Sequence, residues 1–183
     1  MKNLNPKAGT LSNALFAKGI TSLSLLLDWV KVLPYGRNSK RSDYALILNE
    51  ERGTCSTKHA LVKAVAIEND WDEVVLCMGF FRMNVFNTPK VATTLQQHGL
   101  TEIPEAHTYL RIAGVYTDLT GINSSITESD IEEEMDIEPE DIGLLKEVLH
   151  KGHLAQWKED QNISHTTAKL WEIREECIKA LGK

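Results

Sequence analysis

Hydrophobic positions along the chain change period several times, and each change predicts an element. Residues 10–18 read as a short helix closed by Gly19. Ser22 is placed to cap a second helix that ends before Pro34, with Leu23, Leu26, Leu27, Val30 and Leu33 forming one apolar stripe. A turn-rich link, residues 34–38, follows, and the apolar patch 44–48 leads to a bend at Gly53. Beyond it, Ala60, Leu61, Ala64 and Val65 recur at helical spacing, and that helix fades near Asn69 and Asp70.

The period then shortens. Residues 74–81 form a nearly continuous apolar run with β-branched and aromatic members, the pattern of a buried strand. Pro89 can open a short helix that Gly99 closes. Residues 107–121 alternate, turn at Ala113-Gly114 and alternate again, which predicts a hairpin. With that turn, Asp118 faces Tyr109, and His107 sits one diagonal step away on a face shared with Arg111, Tyr116 and Thr120. Thr108, Leu110, Ile112, Val115, Thr117 and Leu119 occupy the other face. A register slip of one residue would separate His107 from Asp118.

From 124 to 141 the chain is acidic and carries no basic residue; a solvated loop and helix start are expected, without the ligand spacing of a calcium loop. Two helices close the chain. One, about 139–159, sets Leu145, Val148, Leu149 and Trp157 toward the body. The other, capped by Ser164, gathers Leu170, Trp171, Cys177, Ile178 and Leu181. The elements predict an α+β domain spanning 1–183, with a core at about 22–121, the acidic segment 124–141 and a helical extension 139–183.

The net charge of −6 argues against nucleic acid as the main partner, because binding phosphates needs a basic face. The local cluster Arg37, Lys40 and Arg41 reads as a solvated loop. No apolar run is long enough for a bilayer and no signal core opens the chain, so no membrane partner and a cytoplasmic location are expected. The three cysteines, 55, 77 and 177, fit neither a zinc ribbon nor a redox pair and are expected as free thiols. Neither a metal nor a cofactor is expected. Oligomeric state is not legible.

One cysteine stands apart. Thr54 occupies an N-cap position and Cys55 falls in the first turn behind it, where free amides and the helix dipole favour thiolate. Cys77, inside a strand, and Cys177, inside an apolar stripe, read as packed thiols. A thiol nucleophile needs a base and the base an orienting group; in chain order the sequence offers His107 opening a strand and Asp118 on the return strand. His59, four residues after Cys55, is an alternative base, or with Cys55 half a metal site; a metal-dependent protein using His59 and the acidic run is a further reading. His98, His150, His153 and His165 read as surface residues.

Gly53-Thr54-Cys55 before a helix, His107-Thr108-Tyr109 at a strand and Asp118-Leu119-Thr120 on the next strand together resemble the transglutaminase-like superfamily within the papain-like cysteine-enzyme fold. The resemblance covers about 22–121. It departs at Tyr109, where tryptophan is frequent, and at Leu119, where proline is frequent. It implies a cysteine helix packed on an antiparallel sheet, Cys55 as nucleophile, His107 as base and Asp118 as orienting acid. It also implies an oxyanion and substrate site near Ser56 and Tyr109, with a second donor from Tyr35 or Asn38. The implied activity is amide hydrolysis or acyl transfer through a thioester on a peptide, protein or small amide. The alternative is an inactive scaffold that keeps the fold.

Overall fold

In the computed structural model, which describes residues 2–122 and 126–182, helices and one antiparallel sheet combine into an α+β architecture. Met1, residues 123–125 and Lys183 lie outside the described residues, and with them the two ends of the expected domain and the first positions of the expected acidic segment. Helix α1 (Thr10–Ala17) and helix α2 (Leu23–Val32) come first, and the Ser22 hydroxyl caps α2 by accepting from Leu25 N at 3.3 Å. A 3₁₀ turn, Tyr44–Leu46, runs into α3 (Ile47–Glu50), and the bend at Gly53 leads to α4 (Cys55–Glu68).

Strand β1 (Val74–Asn84) follows, then a 3₁₀ turn into α5 (Ala92–Gln97). Strands β2 (Glu102–Ile112) and β3 (Val115–Thr117) form the predicted hairpin. Its turn residues have φ of 50° at Ala113 and 80° at Gly114, the paired positive values of a tight two-residue turn. Leu110 pairs with Thr117, Arg111 with Tyr116 and Ile112 with Val115, the expected register. Strand β4 (Glu133–Asp136), then α6 (Leu144–Asp160) and α7 (Thr167–Leu181), complete the chain. The sheet order is β3-β2-β1-β4, every pairing antiparallel.

Several expectations need correction. β2 begins five residues before His107, which therefore sits in mid-strand. β3 stops at Thr117, so Asp118 lies just past it. The acidic segment is not a plain loop, since residues 133–136 pair with β1 as an edge strand. Its acids face basic partners from elsewhere: Glu134 binds Arg111 and accepts from the Tyr109 hydroxyl. The cap of α7 is Thr166, not Ser164; its hydroxyl accepts from Lys169 N at 3.1 Å.

The face of α6 is also different. Leu145 and Val148 are exposed, as is Leu144, while Lys146, His150, Leu154 and Trp157 are buried. Those four recur at helical spacing, so the helix does bury one stripe, but that stripe mixes polar and apolar side chains. Of the expected apolar stripe, Trp157 is buried and Leu149 packs on the core, while Leu145 and Val148 turn outward. His150 is accordingly a core residue whose Nε2 reaches Pro104 O at 3.0 Å, and His153 stacks on Phe80 at 4.2 Å between ring centroids.

Helix α4 organises the packing. Ten of its fourteen residues are buried, and it touches α1, α2, β1 and β2. Its Leu61, Val62 and Val65 share a core with Leu26, Val30, Leu76, Met78 and Leu110. A second core joins Phe81, Met83 and Ile103 to Leu170, Ile173 and Cys177. Among the described residues no helix is long and apolar enough to cross a membrane.

Candidate functional site

Gly53 permits the close approach on which the site is built. A side chain there would meet Ile47, Thr57 and Lys58 at about 3 Å, too tight for any Cβ. Without one, the strand-like segment at Gly53 pairs with that at Tyr35: Gly36 N donates to Gly53 O and Gly53 N to Pro34 O, both at 3.2 Å. Thr54 then caps α4, and its N–H donates to Thr57 Oγ1 at 3.1 Å. The first intrahelical bond runs from Lys58 N to Thr54 O, so the amides of Cys55 and Ser56 precede it, as the first turn of a helix requires.

Cys55 heads that turn, buried, at the end of a polar cleft. His107 lines a pocket together with Cys55, and the two groups act on each other's charge. His107 Nε2 lies 3.0 Å from Asp118 Oδ2, which leaves Nδ1 as the ring nitrogen available to the sulfur. Asp118 is held in turn: its Oδ1 accepts from Thr120 N at 2.8 Å and from the Thr120 hydroxyl. Imidazole and carboxylate are thus joined by a hydrogen bond, with the sulfur in the same pocket as the ring.

The electrostatics favour an ion pair. Burial alone would push the Cys55 thiol up, but the Lys146 charge, then the His107 hydrogen bond and charge, outweigh it and bring its pKa down to about 6. Burial would lower His107, yet the Asp118 charge and hydrogen bond, with Cys55 behind them, raise it to about 10. For Asp118, burial works upward, and the His107 charge and hydrogen bond hold the carboxyl well below the usual range. Near neutral pH the pair is therefore thiolate and imidazolium.

His59 is excluded as the base by its own hydrogen bonds. Leu119 N donates to its Nε2 at 2.7 Å, so Nδ1 carries the proton and donates to Cys55 O at 2.7 Å. Both nitrogens are committed, and burial pulls its pKa down to about 4. The neutral ring pins the Leu119 amide beside Asp118.

Of the four other expected residues, two reach the cleft. Tyr35 lines it next to Cys55; its phenol makes no hydrogen bond among the described residues, and burial, then the Cys55 charge, raise its pKa. Ser56 also lines it, with its hydroxyl held by Lys146 Nζ at 2.8 Å. Asn38 does not: it accepts from Thr57 Oγ1 at 2.9 Å and donates to Arg52 O and Glu50, fastening the loop to α4. Tyr109 is buried behind His107, ring centroids 5.8 Å apart, with its hydroxyl on Glu134.

Three groups escaped the sequence reading. Lys146, buried on α6, donates to Ser56 Oγ and, at 2.6 Å, to Thr108 Oγ1, and has no carboxylate partner. Lys58 is sealed inside, its ammonium donating to Leu33 O, Leu119 O and Thr120 O at 2.7, 3.3 and 2.9 Å. Glu105 and Arg174 form a buried bidentate pair beside the cleft. The cluster of Arg37, Lys40 and Arg41 is only partly a solvated loop, because Arg37 and Arg41 line the cleft. A lysine directly after Gly143-Leu144-Leu145 carries no mark of its destination in the sequence.

One group could bring three ligand atoms to a metal among the described residues, Cys77, Glu134 and Asp136, within 4.8 Å. Glu134 is already bound by Arg111 and Tyr109, and burial, with the two acids adding to it, pushes the Cys77 thiol up to about 12. The chain matched no protein-family model, no curated protein and no solved structure.

Proposed function

We propose that the protein is a cysteine-dependent amide hydrolase or acyltransferase of the transglutaminase-like kind, working through a thioester. The observation that carries this reading is that His107, hydrogen-bonded to Asp118, lines the same pocket as Cys55. The papain-like arrangement of a cysteine helix on an antiparallel sheet is part of the same proposal.

In the first half-reaction the Cys55 thiolate attacks the amide carbonyl carbon and an S–C bond forms. Negative charge moves to the carbonyl oxygen, where the amides at the start of α4 and the unpartnered Tyr35 hydroxyl can receive it. Tyr35 thus takes the second oxyanion position, and Asn38 is withdrawn from it. The C–N bond then breaks as His107 gives its proton to the leaving amine. Asp118 holds the ring in the productive tautomer and stabilises its charged form. In the second half, His107 removes a proton from water or an acceptor amine, that nucleophile attacks the thioester, and the S–C bond breaks to restore the thiolate.

The test is mass-spectrometric mapping of iodoacetamide adducts on the native protein near neutral pH. Rapid modification of Cys55 alone, lost in His107→Ala, is expected. Slow labelling that is equal in both proteins would leave an inactive scaffold as the better description.

A further inference from the structure

The cleft that ends at Cys55 has an unusual wall. Arg37, Arg41, Lys146 and Arg174 all line it together with Tyr35, and no carboxylate does. The acids that balance these arginines stand behind them. Glu175 accepts from Arg37 at 2.5 Å and from Arg174 at 2.7 Å, and Glu105 takes the rest of Arg174. Arg41 is the least committed: Glu147 is 3.5 Å away and bonds more closely to Lys151, at 2.7 Å.

Lys146 makes the imbalance depend on the state of the site. Two of its three N–H groups go to Ser56 and Thr108, and the negative charges acting on it are the Cys55 thiolate first and then Glu105, which Arg174 already pairs. When that sulfur becomes a thioester its charge is gone. A buried ammonium would then keep only Glu105, already shared with Arg174, an under-compensated arrangement in a low-dielectric site. An anion delivered with the substrate removes the problem.

From this wall and this change of charge we infer that the acyl compound carries a compact oxyanion, carboxylate or phosphate, close to its scissile amide, bound by Arg41, Arg37 and Lys146. The inference rests on Cys55 being the nucleophile and narrows the class of amide it attacks.

Two alkylating agents that differ by one charge provide the test. Both form the same S–C bond to Cys55 and expel iodide, but iodoacetate brings a carboxylate and iodoacetamide does not. At pH 7 and low salt the expected rate ratio of iodoacetate to iodoacetamide is about tenfold or more, falling with added salt. In Arg41→Gln, a change at a half-exposed side chain, the ratio should drop at least about fivefold. A ratio no higher than that of a free thiol, or one equal in the variant, overturns the inference, because His107 alone would then account for any preference. The unaltered protein gives an independent reading. Glutarate should slow iodoacetamide labelling of Cys55 and glutaramide should not. Stronger protection by inorganic phosphate assigns the cleft to a phosphate-bearing amide, and no protection by either anion overturns the inference. Rapid, His107-dependent labelling by iodoacetamide is scored separately, so loss of the anion preference is distinguishable from loss of the nucleophile.

Discussion

The imidazole Nε2 of His107 stands 3.0 Å from the Asp118 carboxylate although eleven residues separate them, because a two-residue turn folds β3 back on β2. Removing either end of that contact has a defined consequence. His107→Ala should cut amide turnover by about 10²–10⁴-fold, the usual contribution of a positioned acid–base group. Steady-state kinetics on any cleavable amide would show it. Asp118→Asn should lower the rate as well, through the wrong tautomer, while leaving Cys55 reachable by iodoacetamide.

Two protonation states bound the working range. Cys55 is ionised above about 6, and His107 holds its proton up to about 10. Labelling of Cys55 should therefore rise through pH 6 and stay on a plateau. Amide turnover should rise over the same interval and fall again as pH passes about 10, where the imidazolium is lost. A rate profile centred on an ordinary thiol pKa would contradict the ion pair.

Lys146 is the strongest influence pulling the thiol down. In Lys146→Gln the labelling midpoint of Cys55 should move up by about one pH unit. Stopped-flow alkylation across pH measures it, and an unmoved midpoint would mean that the lysine only braces Ser56 and Thr108.

Glu105 and Arg174 form the second charged pair in the interior. Burial works upward on Glu105, but the Arg174 charge outweighs it and brings the carboxyl down to about 2. Its folded pKa lies below the unfolded value of about 4.3. The pair's contribution to stability is therefore present above that value and is lost as pH falls through about 2. Glu105→Gln leaves Arg174 charged and unpaired and should cost about 3–5 kcal/mol in urea unfolding at pH 7.

Lys58 tests the scaffold under the site. Its ammonium serves three carbonyls, and Gly121 passes close enough that a Cβ would lie 2.5 Å from Lys31 O. Lys58→Met should destabilise the fold by about 3 kcal/mol, since three carbonyls of buried residues lose their donor. Thermal unfolding at neutral pH would register this as a lowered midpoint.

Local signals in the chain were reliable where one element determines its own conformation. The Thr54 cap, the turn at Ala113-Gly114 and the apolar run through β1 depend on neighbours a few residues away, and each formed as its residues required. Hairpin register followed from the turn, and it carried His107 and Asp118 onto one face before any long-range contact was known. Pattern failed where burial was polar. The inward stripe of α6 holds a lysine and a histidine, and Glu134 of the acidic strand β4 is paired by Arg111 and accepts from the Tyr109 hydroxyl, both from β2.

The sequence by itself therefore determined the helix that begins at Cys55, its cap and the hairpin that brings His107 to Asp118, since turns, caps and side-chain alternation act over short distances. Only the tertiary structure decided what surrounds the sulfur. Tyr35 arrives through backbone pairing with Gly53, Lys146 from a helix ninety residues further on, and Arg174 from the last helix. A charged side chain looks alike in sequence whether it meets water or a buried partner; the desolvation it undergoes, and the counter-charge it then requires, exist only after distant segments have packed.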